Sequence, residues 1–149
     1  MYANSHWLFD EEMNPAEYVG FIYMIYDFVE KFYYIGKKRY KVSKGERRGL
    51  ESDWRQYRSS NKELKKYAPS NLLYIVLDQY KTLGGLGYAE SWSLFYVNAP
   101  FRPNFINQRI EAITYKVKEK PTKKHVERLK LWRPETIDQL IAQSQFDCE

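Results

Sequence analysis

A single cysteine among 149 residues, Cys148, leaves no partner for an internal disulfide and no thiolate cluster for a structural metal. Histidine is almost as scarce. His6 and His125 lack metal-ligand spacing and are expected to face solvent. No basic start followed by an apolar run marks a signal peptide, and the longest apolar stretch, residues 19–25, is far short of the ~20 residues of a membrane span. A soluble, cytoplasmic protein with no membrane partner is therefore expected. Glycine is sparse at seven residues, and three of them, Gly84, Gly85 and Gly87, fall close together. No Lys-Ser/Thr pair follows them and no GxGxxG spacing is present, which argues against a nucleotide-phosphate loop or a small-molecule cofactor; the segment reads as a flexible connection.

Tyrosine and positive charge are abundant instead. Aromatic residues make up 17% of the chain, with 14 tyrosines, which suits either amphipathic packing or stacking at a nucleic-acid site. The net charge of +5 conceals its distribution. Residues 31–66 carry 13 Lys/Arg against four acids (+9), and residues 116–133 carry eight against two (+6). Residues 1–17 and 134–149 are each −4. Two concentrated basic blocks with interleaved aromatics point to a polyanionic partner.

Residues 19–26 and 32–37 are rich in β-branched and aromatic side chains, and their short connection predicts an antiparallel hairpin. A basic loop follows at 40–48. Residues 51–57 are short and helix-compatible, and Ser59, Ser60 or Asn61 can cap a helix to about residue 67. Residues 72–80 form the strongest strand, nearly continuous in apolar residues and so central in a sheet. In residues 88–97, Tyr88, Trp92, Phe95 and Tyr96 recur at helical spacing and predict one buried stripe. Residues 98–107 are a loop and 109–115 a strand or turn, with helices expected at 122–132 and 134–145. The expected fold class is α+β: a three-stranded antiparallel sheet flanked by helices, plus a basic helical tail. The expected division is an extension over 1–17, a core domain over 18–115 and a tail over 116–149.

Phe21-Ile22-Tyr23 followed eleven positions later by Tyr34-Ile35-Gly36 resembles the paired tripeptides of the GIY-YIG nuclease family. The second tripeptide matches outright, whereas Phe21 stands where glycine is usual and Gly20 lies one place earlier. The order that follows is also similar to the family over roughly residues 18–110: a basic segment, Tyr57, a long apolar strand, Glu90 in a helix and Asn107 near the domain's end. Gly36-Lys37-Lys38, Ser52-Asp53-Trp54 and residues 57–61 are most similar to the Seg-type proteins of T-even phages.

The resemblance implies a metal-dependent DNA endonuclease of phage or mobile-element type. Hydrolysing a phosphodiester needs an activated water, charge neutralisation at the phosphate and help for the leaving oxygen. One Mg2+ or Mn2+ ion held by a single carboxylate and waters suits this chemistry. Glu90, the only acid between Asp78 and Glu111, is the expected metal ligand. Tyr23 is the implied general base. A free phenol has a pKa near ~10, so this role needs cationic neighbours or metal-bound water. Tyr34 would orient the water or touch the phosphate, Tyr57 would help position them, and Asn107 (or Asn98) would fix Glu90 or a nearby loop.

The family's phosphate-binding arginine has no ungapped match, since Lys44 stands nearest that place. Arg47 or Arg48 is the expected clamp, with Lys37, Lys38 and Arg55 as substitutes. Lys123 and Lys124 on the tail would add contacts to double-stranded DNA. Two alternatives stay open: a non-catalytic nucleic-acid-binding module on the same fold, and an RNA-directed nuclease.

Overall fold

Strand β2 (Gly20–Asp27) has every residue buried, and the rest of the fold is arranged on its two sides. The computed structural model describes residues 5–59, 61–66, 69–107, 110 and 115–131. The sheet order is β1-β4-β2-β3, with β1 at Trp7–Leu8, β3 at Phe32–Arg39 and β4 at Leu72–Tyr80. β2 and β3 form the expected antiparallel hairpin. Asp27 makes its turn by accepting at Oδ1 from the backbone N–H groups of Val29 (2.9 Å) and Glu30 (2.8 Å), as short acidic side chains do in turns.

The predicted three-stranded antiparallel sheet is corrected to a mixed sheet of four strands. The additional strand is β1, which pairs parallel to β4 through Trp7↔Tyr74 and Leu8↔Ile75. Two residues are too few to carry an alternating pattern. What holds them is Trp7, which is 2% exposed and donates its indole N–H to Trp54 O at 3.0 Å.

Alternation along β2 divides the core in two. Ile22, Met24 and Tyr26 join Tyr33, Ile35, Ile75, Leu77 and Leu86 on one side. Phe21, Tyr23 and Ile25 join Trp7, Tyr40, Trp54, Tyr74 and Val76 on the other. Burying each large apolar side chain contributes about 1.5–3 kcal/mol. Between β2 and β4 the register passes from Ile22↔Asp78 to Tyr23↔Val76, a bulge that leaves Leu77 as the extra residue beside Tyr23.

Helix α1 spans Leu83–Tyr96, so the three glycines read as a flexible connection lie inside its first turns. Two of them, Gly84 and Gly85, are required by packing. A Cβ on Gly84 would sit 2.0 Å from Lys116 O, and one on Gly85 2.2 Å from Glu119 Oε1. Residues 116–119 thus cross directly over the helix start. The Glu119 carboxylate accepts from Lys81 N, Thr82 N and Thr82 Oγ1, placing an anion at the positive end of the helix dipole. The buried face is also corrected. It consists of Leu86, Ala89, Ser93 and Leu94, while Phe95 and Tyr96 are 66% and 41% exposed. Small residues bring the helix close to the sheet; Trp92 of the expected stripe still packs against the core, whereas Phe95 and Tyr96 lie outside it. The predicted helix to residue 67 is a 3-10 turn at Lys62–Lys66, with Asn61 Oδ1 accepting from Glu63 N. Ser60, Arg109, residues 111–114, the helix expected at 134–145 and Cys148 lie outside the described residues.

Helix α2 (Lys123–Leu131) packs on β4 and buries His125 and Leu129. The solvent-facing position expected for His125 is thereby corrected: it is fully buried among Tyr80, Ser93 and Trp92. Its tautomer follows from the chain of bonds. Ser93 Oγ donates its one proton to Ala89 O (2.6 Å), so it accepts from His125 Nε2–H (2.7 Å). Nδ1 is then the acceptor for the Tyr80 hydroxyl at 2.6 Å. Burial pushes the imidazole down to about 4 from its ordinary 6.5. The folded protein resists protonation that the unfolded chain accepts, so stability is full above pH 6.5 and falls as pH drops towards 4, by about 3 kcal/mol at most. Denaturant unfolding of the wild type should show this decline, and His125→Gln should show a flatter profile. A wild-type stability constant between these pH values would overturn the neutral buried imidazole.

Candidate active site

Tyr23 and Tyr34 stand on one face of the hairpin. Tyr23 pairs with Gly36 and Tyr34 with Ile25, so the rings lie diagonally across the strands with centroids 6.2 Å apart. The Tyr23 ring runs over Gly36, where an added Cβ would sit 2.5 Å from the phenol oxygen. Glycine at the end of the second tripeptide is therefore the space that the first tripeptide's tyrosine occupies. Phe21 fills its own place usefully, packing on Trp7 (5.1 Å) and Tyr40 (5.4 Å). Gly20 lies against the other layer, where a Cβ would meet Lys38 O at 2.4 Å and Leu86 Cδ2 at 2.8 Å.

Tyr57 stands edge-on to Tyr23 with centroids 6.1 Å apart. Ser59 hydrogen-bonds to both Tyr23 and Tyr34, and Asn61 to Tyr34. Sequence reasoning gives Ser59 only a capping role. Its position two residues after Tyr57, in a segment that carries the family resemblance, is the signal that could have placed it here. It adopts φ 80, a left-handed conformation that costs a non-glycine residue about 1 kcal/mol or more and is held by its surroundings.

Glu90 reaches this face from α1, round the edge of β3. The first part of that edge is covered: Tyr33 N donates to Asn104 O (2.8 Å) and Ile106 N to Tyr33 O (2.8 Å). Asn107 then takes both backbone groups of Ile35, accepting from its N–H at 2.9 Å and donating to its carbonyl at 2.8 Å. Asn107 thus clamps the strand that carries Tyr34, and neither of these bonds goes to Glu90. Beyond Ile35, the Glu90 carboxylate, 12% exposed, lies 3.8 Å from Lys37 Nζ. Lys38 lies 2.7 Å from Asp53 Oδ1 and 3.9 Å above the Tyr57 ring.

The two candidate arginines are separated by the fold. Arg47 lines an open cleft of about 720 Å³ together with Lys37, Lys38, Asp53 and Tyr57. Arg48 lines a different groove, with Tyr18, Leu83 and Tyr115. Lys44 is exposed on the same loop, and Arg55 pairs with Glu51 at 2.9 Å. Lys123 and Lys124 are on α2, which packs on β4, with β2 between it and β3. There Lys124 faces Glu12 (3.7 Å) and Lys123 faces Glu127 (4.0 Å).

Against known families, residues 3–110 match the model described as "Putative endonuclease segE, GIY-YIG domain". The chain belongs to the GIY-YIG family. No curated protein and no solved structure matches it. The family match begins at residue 3 and so takes in β1.

In this GIY-YIG domain, burial holds the Tyr23 phenol well above its ordinary value of 10.0, with Tyr34 and Tyr57 adding to the rise. Burial also raises Tyr34, and the Glu90 charge pushes in the same direction. Both are neutral hydrogen-bonding groups at neutral pH. No cluster of three His, Cys, Asp or Glu side chains capable of holding a metal occurs among the described residues. The donor set around Glu90 is one carboxylate flanked by a phenol and an ammonium. This fits a hard cation held mainly by water and phosphate, provided that Lys37 turns away from Glu90. Among the described residues, no helix is long and apolar enough to cross a membrane.

Gly36→Ala should destabilise the domain by about 1–3 kcal/mol, because the new methyl group would sit 2.5 Å from the hydroxyl oxygen of the buried Tyr23. Denaturant titration measures the loss. Wild-type stability in that variant would show that the Tyr23 ring is not confined against β3.

Proposed function

We propose that this chain is a metal-dependent DNA endonuclease of phage or mobile-element type, hydrolysing phosphodiester bonds in double-stranded DNA with one Mg2+ or Mn2+ ion. The observation that carries this reading is the convergence of Tyr34, Lys37 and Glu90 at the open end of the β3 edge, beside a cationic cleft. Glu90 would hold the ion. When bound, such a cation neutralises charge on the phosphate and acidifies coordinated water.

Other roles follow from this chain's own groups. Lys37, released from Glu90, supplies a positive charge to the entering phosphate. Arg47 reaches the same cleft and has no carboxylate partner among the described residues, so its planar fork is available for two phosphate oxygens. Tyr34, half-buried and anchored by Ser59 and Asn61, presents its hydroxyl at the boundary between the cleft and the aromatic layer. Tyr23 donates a hydrogen bond at neutral pH, and taking a proton from water requires positive charge beside it to outweigh the burial that keeps it neutral.

The Lys37–Glu90 pair and the raised Tyr23 also favour a second reading, a binding module on the same fold. Supercoiled plasmid separates the two. Wild type should nick or linearise it with Mg2+ or Mn2+ and not in EDTA, and Glu90→Gln should lose at least about 100-fold in rate while keeping its fold. Cutting in EDTA, or full activity in the variant, overturns the metal-ligand role. Binding without cleavage under any divalent ion supports the module.

If Tyr23 is the base, the single-turnover rate should climb about tenfold per pH unit above neutrality, because the deprotonated fraction of a raised phenol grows by that factor below its pKa. Tyr23→Phe should lower the rate and flatten the profile. A flat wild-type profile between pH 7 and 9 excludes the role.

A further inference from the structure

Arg39 and Lys41 form a ridge with a groove on each side. One is the cleft beside Lys37 and Tyr57, and the other is a groove of about 540 Å³ bounded by Tyr18, Arg48, Leu83 and Tyr115. The loop that follows β3 straddles the ridge. It is closed by Val42 N to Leu50 O (2.8 Å) and Gly49 N to Val42 O (2.9 Å), which fixes the consecutive Arg47 and Arg48 at its end. Arg47 lines the first groove and Arg48 the second.

The second groove combines cations with aromatic surface. Arg39 Nη2 donates to the Tyr115 hydroxyl at 3.2 Å, with its guanidinium carbon 5.7 Å from the ring centroid. Tyr115 remains 48% exposed, so a face of the ring is open to a ligand. The hydrogen bond from Arg39 and then its charge pull this phenol below its ordinary value, with Lys37 and Lys44 adding to the positive field. Arg48 has no ion pair among the described residues. The one acid in the wall, Glu17, is offset by Lys81 Nζ at 3.5 Å.

We propose that this second groove binds the DNA backbone flanking the bond to be cut, with Arg48 and Arg39 on a phosphate and Tyr115 against the adjoining sugar or base. The proposal rests on the endonuclease reading for its choice of DNA. A strand crossing the ridge engages both grooves at once, so the flanking contact sets which phosphate lies beside Glu90. Cationic side chains with an open aromatic face suit a nucleic-acid strand better than an acidic peptide, because the strand offers phosphates and stackable rings in alternation.

The test is binding of a fluorescent 30-base-pair duplex to the full chain in EDTA over a series of salt concentrations. The variants are Arg48→Gln, Tyr115→Ala and the pair together. Arg48→Gln should lower the magnitude of the slope of log K against log salt by about 0.9, one phosphate contact, and weaken binding several-fold at about 0.1 M salt. Tyr115→Ala should weaken binding with a smaller change in slope. Both side chains are exposed, and matching circular dichroism and melting curves establish that the variants fold. Wild-type affinity and slope in the double variant overturn the proposal, as does failure of wild type to bind the duplex at all. Cleavage assayed in parallel separates this result from the nuclease reading. Groove-dependent binding without cleavage leaves the groove standing and removes the enzyme. Normal cleavage with indifferent groove variants does the reverse.

Discussion

The Tyr23 hydroxyl occupies the place where a side chain at position 36 would be, and the site depends on that one close approach. β2 is buried on both faces, so Tyr23 has no alternative surface on which to rest. Its ring is fixed by Gly36 beneath it, Trp7 and Tyr57 beside it, and Ser59 at its hydroxyl. Close packing of this kind converts a flexible phenol into a group with one position. Tyr34 inherits its placement from the same register, one diagonal away, and Asn107 locks the intervening Ile35 by both backbone groups.

The same confinement sets an electrostatic problem. The desolvation that fixes Tyr23 also keeps it protonated, while the cations that could relieve this lie at the rim. Lys38 is turned to Asp53 and Lys37 to Glu90. Positive charges and carboxylates therefore balance one another locally, and a phosphate entering as proposed would have to displace these pairs. One member of each pair is shielded from water, Glu90 at 12% exposed and Lys38 at 18%, so each pair is only partly screened by solvent. Among the described residues Arg47 and Arg48 have no ion pair, and their loop divides the basic block between two grooves.

The tail has a structural part as well as its charge. Residues 116–119 close over Gly84 and Gly85, and α2 seals β4 through His125 and Leu129. Arg128 donates to Val76 O and to Glu12, tying the tail to the N-terminal turn. A helix that reads as a basic surface thus spends part of its positive charge inside the protein.

The hairpin, the central strand β4, the α+β class and the family were legible along the chain, because each is carried by local alternation or by a contiguous motif. The tripeptides could be read without knowing why Gly36 is glycine, since motif and cause lie on different strands. Partners distant in sequence were not legible. β1 has no pattern of its own, and its place comes from the burial of Trp7 against Tyr74 and Trp54. His125 looked exposed because a histidine among lysines carries no mark of burial, and only α2 docking on Tyr80 and Ser93 encloses it. The glycines of α1 looked flexible because the chain that crosses them is more than thirty residues away. Arg47 and Arg48 are neighbours in sequence yet face different grooves, since the direction of a side chain on a closed loop is settled by the bonds that close it. Periodicity reports what each segment buries, whereas the tertiary structure decides against what, because that depends on backbones brought together from across the chain.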